Sequence, residues 1–332
     1  MLIRRLETPM SSPESPSAAT PASRTAVETA SQPSCWRQAA GLVPVHAAAL
    51  PGRGERVAVI GCGTSWFMAQ SYAALRESGG HGQTDAFAAS EFPVGRAYDR
   101  VLAITRSGTT TEVLEVLRRL RGSVRTTAVI GDPATPVVGI ADHSVALAFA
   151  DEESVVQTRF ATTALALLRA HLEAEGALAP GVRTVAQAAA DAELALAAPL
   201  PAGVPAAGQI TFLGAGWTNG LALEAALKMR EAAGAWTEAY PAMEYRHGPI
   251  AITRPGRAAW MFGALPAGLD QDIARVGGLL VAGSQDGPAG LDPMADLVRV
   301  HRLAVATAEA QGLDPDRPLN LTRSVILAAD HA

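Results

Sequence analysis

Two cysteines, Cys35 and Cys62, are all that the 332 residues contain. They show neither paired spacing nor a zinc-ligand pattern, which excludes a disulfide framework and suits a reducing, cytoplasmic setting. Aromatic residues make up only 5%, so a core must be built mainly from Ala, Val and Leu. No run reaches the ~18 apolar residues of a membrane helix, and the N-terminus lacks the apolar stretch of a secretory signal. Positive charge is also scarce: 27 Lys and Arg against 32 Asp and Glu leave a formal net charge of −5. That balance argues against nucleic acid or an anionic membrane as partner. The one basic cluster, "RRLRGSVR" at 118–125, closes a predicted helix, where cations favour the macrodipole. The histidines form no metal-ligand spacing, so neither a metal nor another cofactor is expected.

What is present is a chain long enough for two domains, 48% hydrophobic, with a well-filled core. Residues 1–26, rich in Pro, Ser and Ala, read as a disordered tail. From about residue 55 strands and helices alternate. "ERVAVIG" (55–61), "TDAFAAS", "RVLAITRS", "TTAVIGD" and "HSVALAFA" read as strands. "TSWFMAQSYAALRES", "TTEVLEVLRRLRG" and "TRFATTALALLRAHLEAEG" read as helices. Such alternation implies a parallel sheet covered on both faces. After an alanine-rich helical linker (179–206), "ITFLGAGWTNGLALEAALKMRE" repeats the plan of "VAVIGCGTSWFMAQSYAALRE": strand, G-x-G turn, Thr, helix. The expectation is therefore an internal duplication of an α/β unit, 27–178 and 207–332, with an abbreviated second copy. "AAWMFGAL", "GGLLVAGSQ" and the helix "ADLVRVHRLAVATAEAQG" complete that copy.

The "GCGTSW" turn is not a dinucleotide fingerprint, because Trp66 occupies the position of the third glycine, as Asn219 does in "GAGWTN". Five of the seven residues from Thr105 to Thr111 carry a hydroxyl, and capping a helix needs only one. Two hydroxyl-rich turns, Gly63–Thr64–Ser65 and Thr105–Thr111, at the carboxyl ends of parallel strands predict a phosphate cradle. It would be built from helix N-termini and uncharged donors rather than from lysine.

The helix "LALEAALKMREAAG" (221–234) is apolar almost all round, yet Glu224, Lys228 and Glu231 fall on one face at i, i+4 and i+7. Unpaired buried charge is costly, so the stripe either lines a cavity or forms a structural ion-pair network. A carboxylate beside a lysine suits proton transfer next to a carbonyl. His247 in "EYRHGP" precedes a Gly-Pro turn and is placed on a loop close to that stripe. Cys62 reads as packing.

Taken together, "CGTS", "SGTTTE", "ALEAALKMRE", "EAYPAMEYRHGPIA", "RPLNLTRS" and the entry segment "ETASQP" resemble the tandem sugar isomerase (SIS) domain family. Its members include the isomerase half of glucosamine-fructose-6-phosphate aminotransferase, stand-alone ketose/aldose isomerases and amino-sugar-phosphate deaminases. The resemblance implies two doubly wound, flavodoxin-like parallel-sheet units in tandem. It also implies that Ser65, Thr105, Ser107 and Thr110 hold a sugar phosphate. By the same resemblance Glu231 moves a proton between C1 and C2, with Lys228 and Glu224 as its neighbours in the pocket. His247 opens the sugar ring from the partner subunit of a homodimer. Three departures stand out. No glutamine-hydrolysing segment accompanies the motifs, so the glutamine-dependent synthase reaction is not expected of this chain alone. The family's C-terminal Schiff-base lysine is Arg323, which stays protonated and forms no imine, though it could bind an anion. The glutamine of the phosphate turn is Arg106, which would bring a cation to the phosphate or to a charged substituent. Isomerisation or deamination of a hexose or aminohexose 6-phosphate is the expected activity. The alternatives are a phosphosugar sensor and a deglycase for sugar-phosphate amino-acid conjugates, whose carboxylate Arg106 or Arg323 would hold.

Overall fold

The computed structural model describes residues 22–283 and 290–327. Within them, β1 (Val57–Gly61), β2 (Thr84–Ala88), β3 (Arg100–Thr105), β4 (Arg125–Ile130) and β5 (His143–Ala146) form one sheet in the order β2-β1-β3-β4-β5. A second sheet holds β6 (Gln209–Gly214), β7 (Thr237–Pro241), β8 (Arg257–Met261) and β9 (Leu279–Ala282) in the order β7-β6-β8-β9. Every strand pair is parallel. The first order is the flavodoxin-like one, and in both sheets the chain reverses direction of travel beside the first strand. Switch points, where open α/β sheets take ligands, therefore fall between β1 and β3 and between β6 and β8.

Helices connect these strands: α1 (Arg24–Ala30), α2 (Gln32–His46), α3 (Thr64–Ser78), α4 (Thr111–Leu120), α5 (Arg159–Ala174), α6 (Val185–Ala197), α7 (Thr218–Ala233), α8 (Leu269–Arg275) and α9 (Pro293–Ala310). The strand period of two divides the core. Val57, Val59, Leu102 and Ile104 of the first sheet, with Ile210, Phe212 and Trp260 of the second, join one continuous cluster with α2, α3, α5, α6, α7 and α9. The alternate residues Ala58, Ile60, Val101 and Ala103 face outward onto α4. Leu213, Ala259 and Met261 likewise face α8. The inner faces of both sheets thus share one core.

Three local expectations need correction. The tail expected to residue 26 is already ordered at Arg24: Ser23 caps α1, and Thr25 bonds Asp316 from the far end of the chain; residues 1–21 lie outside the described residues. The linker helix α6 is a core element. A Thr184–Gln187 capping box starts it, and Ala188, Ala189, Ala192 and Ala195 are buried where it packs on α2 and α9. The second copy also holds β7 and α8, which the sequence pattern does not announce, because "TEAYP" is short and only partly buried. No helix among the described residues is long and apolar enough to cross a membrane.

Candidate active site

α3 and α7 start at the two G-x-G turns and cross in van der Waals contact at Gly220. A Cβ there would meet the Phe67 carbonyl oxygen at 2.3 Å and the Ser71 Oγ at 2.3 Å, so only glycine permits this approach. The crossing sets the N-terminus of α3, with Thr64, beside the polar stripe of α7.

A cavity of about 190 Å³ results at the first switch point. Gly63, Thr64, Arg106, Thr110, Lys228, Glu231 and Arg323 line it, with Glu112, Val155 and Gln157. Three of the predicted residues, Ser65, Thr105 and Ser107, are buried at the same turns without forming its wall. Capping does not account for the hydroxyls. Thr110 is the N-cap of α4 but makes no side-chain cap bond. The Thr105 hydroxyl is buried without a partner, and Ser107 Oγ accepts from the Thr109 amide at 3.3 Å. Free donors at a helix N-terminus are what an anion requires.

On α7, Lys228 is fully buried and ion-pairs with Glu231, which remains partly exposed to the cavity. Its Nζ lies 3.6 Å from Glu224 Oε1. Burial weighs against the ammonium, but Glu224 and Glu231 outweigh it and hold the lysine above its ordinary value. Glu224 departs from expectation: it is wholly buried behind Lys228 and does not line the cavity. Burial pushes its carboxyl up to about 8, against the pull of the Lys228 charge. Lys228 is also the only lysine in the sequence. In a chain that uses arginine for every other long-chain cation, one retained lysine is a signal that the motif reading passed over.

The two arginines line the cavity, but guanidinium donors of each are engaged by protein acceptors. The Arg106 guanidinium donates to the carbonyls of Ser154 (3.0 Å), Val155 (3.2 Å) and Arg323 (3.0 Å). It lies 3.9 Å from the buried Glu152. Arg323 donates to both oxygens of Asp151 at 2.6 Å and to the Glu152 carbonyl. Together they tie the C-terminal segment 321–325 across the cavity. That segment is fastened again where the Thr111 amide donates to the Val325 carbonyl at 3.3 Å and where Thr109 bonds Ser324 at 3.1 Å. His247 is exposed on a 3-10 turn after β7 and is not among the residues lining the cavity. Cys62 lines the cavity, where burial and then Glu112 push its thiol up to about 11. No thiolate nucleophile results. Among the described residues no group of His, Cys, Asp and Glu is placed to hold a metal ion.

Sequence reasoning passed over Glu112, Val155 and Gln157. Buried, partnerless acceptors on Glu112 and Gln157 face a polar ligand's natural position. For Val155 and Gln157 the available signal was the hydroxyl- and carboxylate-rich "DEESVVQT" (151–158), and for Glu112 its place at the end of "SGTTTE".

The site is thus a crevice at the switch point of a parallel sheet, with helix N-termini and hydroxyls on one side and a carboxylate–lysine pair on the other. No family model matches the chain. It is 29% identical over 328 residues to a glutamine–fructose-6-phosphate aminotransferase (isomerizing) of Aeropyrum pernix, covering 85% of this chain and 52% of that relative. It is 27% identical over 315 residues to the enzyme of that name from Xylella fastidiosa. The chain spans about half the length of these curated relatives. In fold it is similar to glucosamine-6-phosphate deaminase from Thermotoga maritima, with a TM-score of 0.76 at 22% identity over 92% of this chain and 100% of that one. It is also similar to tagatose-6-phosphate ketose/aldose isomerase from Escherichia coli, with a TM-score of 0.74 at 19% identity over 96% of this chain and 100% of that one. Both comparisons match the sugar isomerase domain family to which the motifs point.

Proposed function

We propose that the chain is an enzyme of sugar-phosphate metabolism that isomerises a hexose or aminohexose 6-phosphate by C1/C2 proton transfer, with release of ammonia where an amine is present. The observation that carries this reading is the Lys228–Glu231 pair facing the hydroxyl turn across one small cavity.

The phosphate sits on the N-termini of α3 and α4, held by Thr64 and Thr110 at the cavity wall and by the helix dipoles, with Ser65, Thr105 and Ser107 coming into reach once the turns adjust to the ligand. Glu231 takes the proton from the carbon next to the carbonyl of the open-chain sugar and returns it to the neighbouring carbon through an enediol or enolamine. Lys228 stays protonated and compensates the charge that builds on the sugar oxygen. His247 opens the ring. Since it stands outside the cavity of its own chain, it acts on the site of a second copy, and the working form is a homodimer with shared sites. Arg323, whose Nη2 donates to both Asp151 oxygens, forms no imine and instead closes the cavity. The units 27–178 and 207–332, joined through 179–206, are best regarded as a duplicated pair of which the first holds the phosphate.

The test is proton NMR in deuterated water with fructose, glucosamine, tagatose and galactosamine 6-phosphates offered separately. Deuterium entering C1 or C2 of one of them is the expected result, and ammonia release alongside it selects deamination. Tight binding without exchange for all four would replace the enzyme reading with a sensor.

A further inference from the structure

Behind the Lys228–Glu231 pair, a buried polar chain runs through the shared core to α2, and its bonding pattern has a direction. Trp36 Nε1, a donor only, bonds Thr162 Oγ1 at 2.9 Å, and Thr162 Oγ1 donates to Gln32 Oε1 at 2.8 Å. Gln32 Nε2 lies 3.2 Å from the Thr29 carbonyl oxygen and 3.0 Å from His301 Nδ1. Turning the amide over would set two acceptors, Gln32 Oε1 and the Thr29 carbonyl, against each other. The amide therefore has one orientation, and its second hydrogen goes to His301 Nδ1. A neutral imidazole that accepts at Nδ1 carries its proton on Nε2. His301 is buried, and burial followed by the Lys228 charge lowers it to about 3, so the ring is neutral.

His301 Nε2 stands 3.9 Å from Glu224 Oε1. Neither that nitrogen nor either Glu224 oxygen has a hydrogen-bond partner within bonding distance. An approach of about 1 Å brings them into bonding range, and catalytic hydrogen bonds are often long without ligand and tighten in the complex. The groups facing Glu224 are Lys228, Glu231 and Arg230 on its own helix, His301 from α9 and the Thr64 hydroxyl from α3. Lys228 is thus shared between Glu224 and Glu231.

We infer that Gln32 and His301 are positioning residues for the Glu231 base: Gln32 holds His301 as the Nε2–H tautomer, and that N–H is offered to Glu224, the carboxylate that competes with Glu231 for Lys228. The inference rests on the proton-transfer reading of the Lys228–Glu231 pair. Its consequence has a definite sign. The His301 N–H favours ionised Glu224. Ionised Glu224 draws the Lys228 charge away from Glu231, which becomes the stronger base. Removing the N–H leaves Glu224 protonated to higher pH and the Lys228 charge on Glu231 over a wider range.

Two measurements test it. In long-range 15N–1H NMR of histidine-labelled protein, with His301→Gln used for assignment, His301 is expected as a neutral Nε2–H ring from pH 5 to 9. An Nδ1–H ring overturns the inference without any appeal to activity. In the exchange assay Gln32→Leu, which frees His301 to take either tautomer, should move the limb that rises with Glu224 ionisation to higher pH by up to about one unit. His301→Phe, which removes the N–H outright, should show the same shift and serves if Gln32→Leu does not fold. His301→Gln, which returns an N–H at similar reach, should recover part of it. An exchanging protein whose limb is unmoved in both Gln32→Leu and His301→Phe overturns the positioning role alone. A wild-type chain that exchanges no phosphosugar overturns the proton-transfer reading, and this role with it.

Discussion

The two switch points of this molecule follow the same backbone plan with different side chains. After β1 the turn leads into Thr64 and Ser65, and after β3 into Thr105, Ser107 and Thr110. After β6 the corresponding turn carries Gly216 and Trp217, and after β8 it carries Phe262, Gly263, Ala264 and Leu265. The first crevice encloses about 190 Å³ beneath the 321–325 segment, whereas the second, of about 730 Å³, is lined mainly by small and apolar residues, together with Arg183, Asp292 and Asp296. The hydroxyl that its β6 turn carries, Thr218, is already engaged with the Ala215 amide, the Ala215 carbonyl and the Phe262 carbonyl. Topology thus places a crevice in each half, while the hydroxyls and the α7 charges set one of them apart as the proposed phosphate site. The chemical face of α7, a helix of the second half, serves the crevice of the first.

The sharpest way to break that comparison is at the base. Glu231→Gln should lower C1/C2 exchange by about 10²–10⁴-fold while phosphosugar affinity stays within about tenfold, because the cradle is untouched; unchanged turnover would end the mechanism. Arg106→Met leaves Glu152 buried without its cation and frees the C-terminal segment. It should cost roughly 3–5 kcal/mol in urea unfolding, and a loss under 1 kcal/mol would show the tie to be dispensable. The matched pair Thr110→Val and Thr218→Val separates the crevices directly. The first should weaken every phosphorylated ligand by roughly tenfold. The second should leave affinity alone and cost about 1–3 kcal/mol of stability, since the Ala215 amide loses its acceptor. Equal effects of both on phosphosugar titrations would refute the division of labour.

The smallest expected effect is on stability against pH. Burial lowers His81, His171 and His301 below the ordinary imidazole value. A group held neutral in the fold binds its proton first in the unfolded chain. Glu224, held up to about 8, works in the opposite sense, because the fold binds its proton first. Stability should therefore rise slightly as pH falls from about 8 to about 7 and then decline below about 6.5, where three histidines outnumber that one carboxyl. Thermal melts that do not move between pH 7.5 and 5 would contradict this.

Much of the fold was legible because period-two apolar runs and G-x-G turns are local signals. β1, β3, β4 and β6, and the starts of α3 and α7, stand where the pattern puts them. β7 and α8 were not legible, since a half-buried edge strand and a seven-residue helix carry little periodicity. At the site, the charge stripe of α7 and the hydroxyl turn could be read from spacing. That Arg106 and Arg323 hold backbone carbonyls and Asp151 could not, because their partners lie 48 to 217 residues away.

The sequence by itself determined which residue types stand at each strand end and which helix carries the buried charges, because turn chemistry and helical spacing act within a few residues. Only the tertiary structure decided that Glu224 lies behind Lys228 and that the C-terminal segment walls the cavity. It also decided that both sheets share one core, which lets Gln32 at one end of the chain reach His301 near the other. These outcomes depend on contacts between distant residues, such as the close crossing at Gly220, and no local pattern records them.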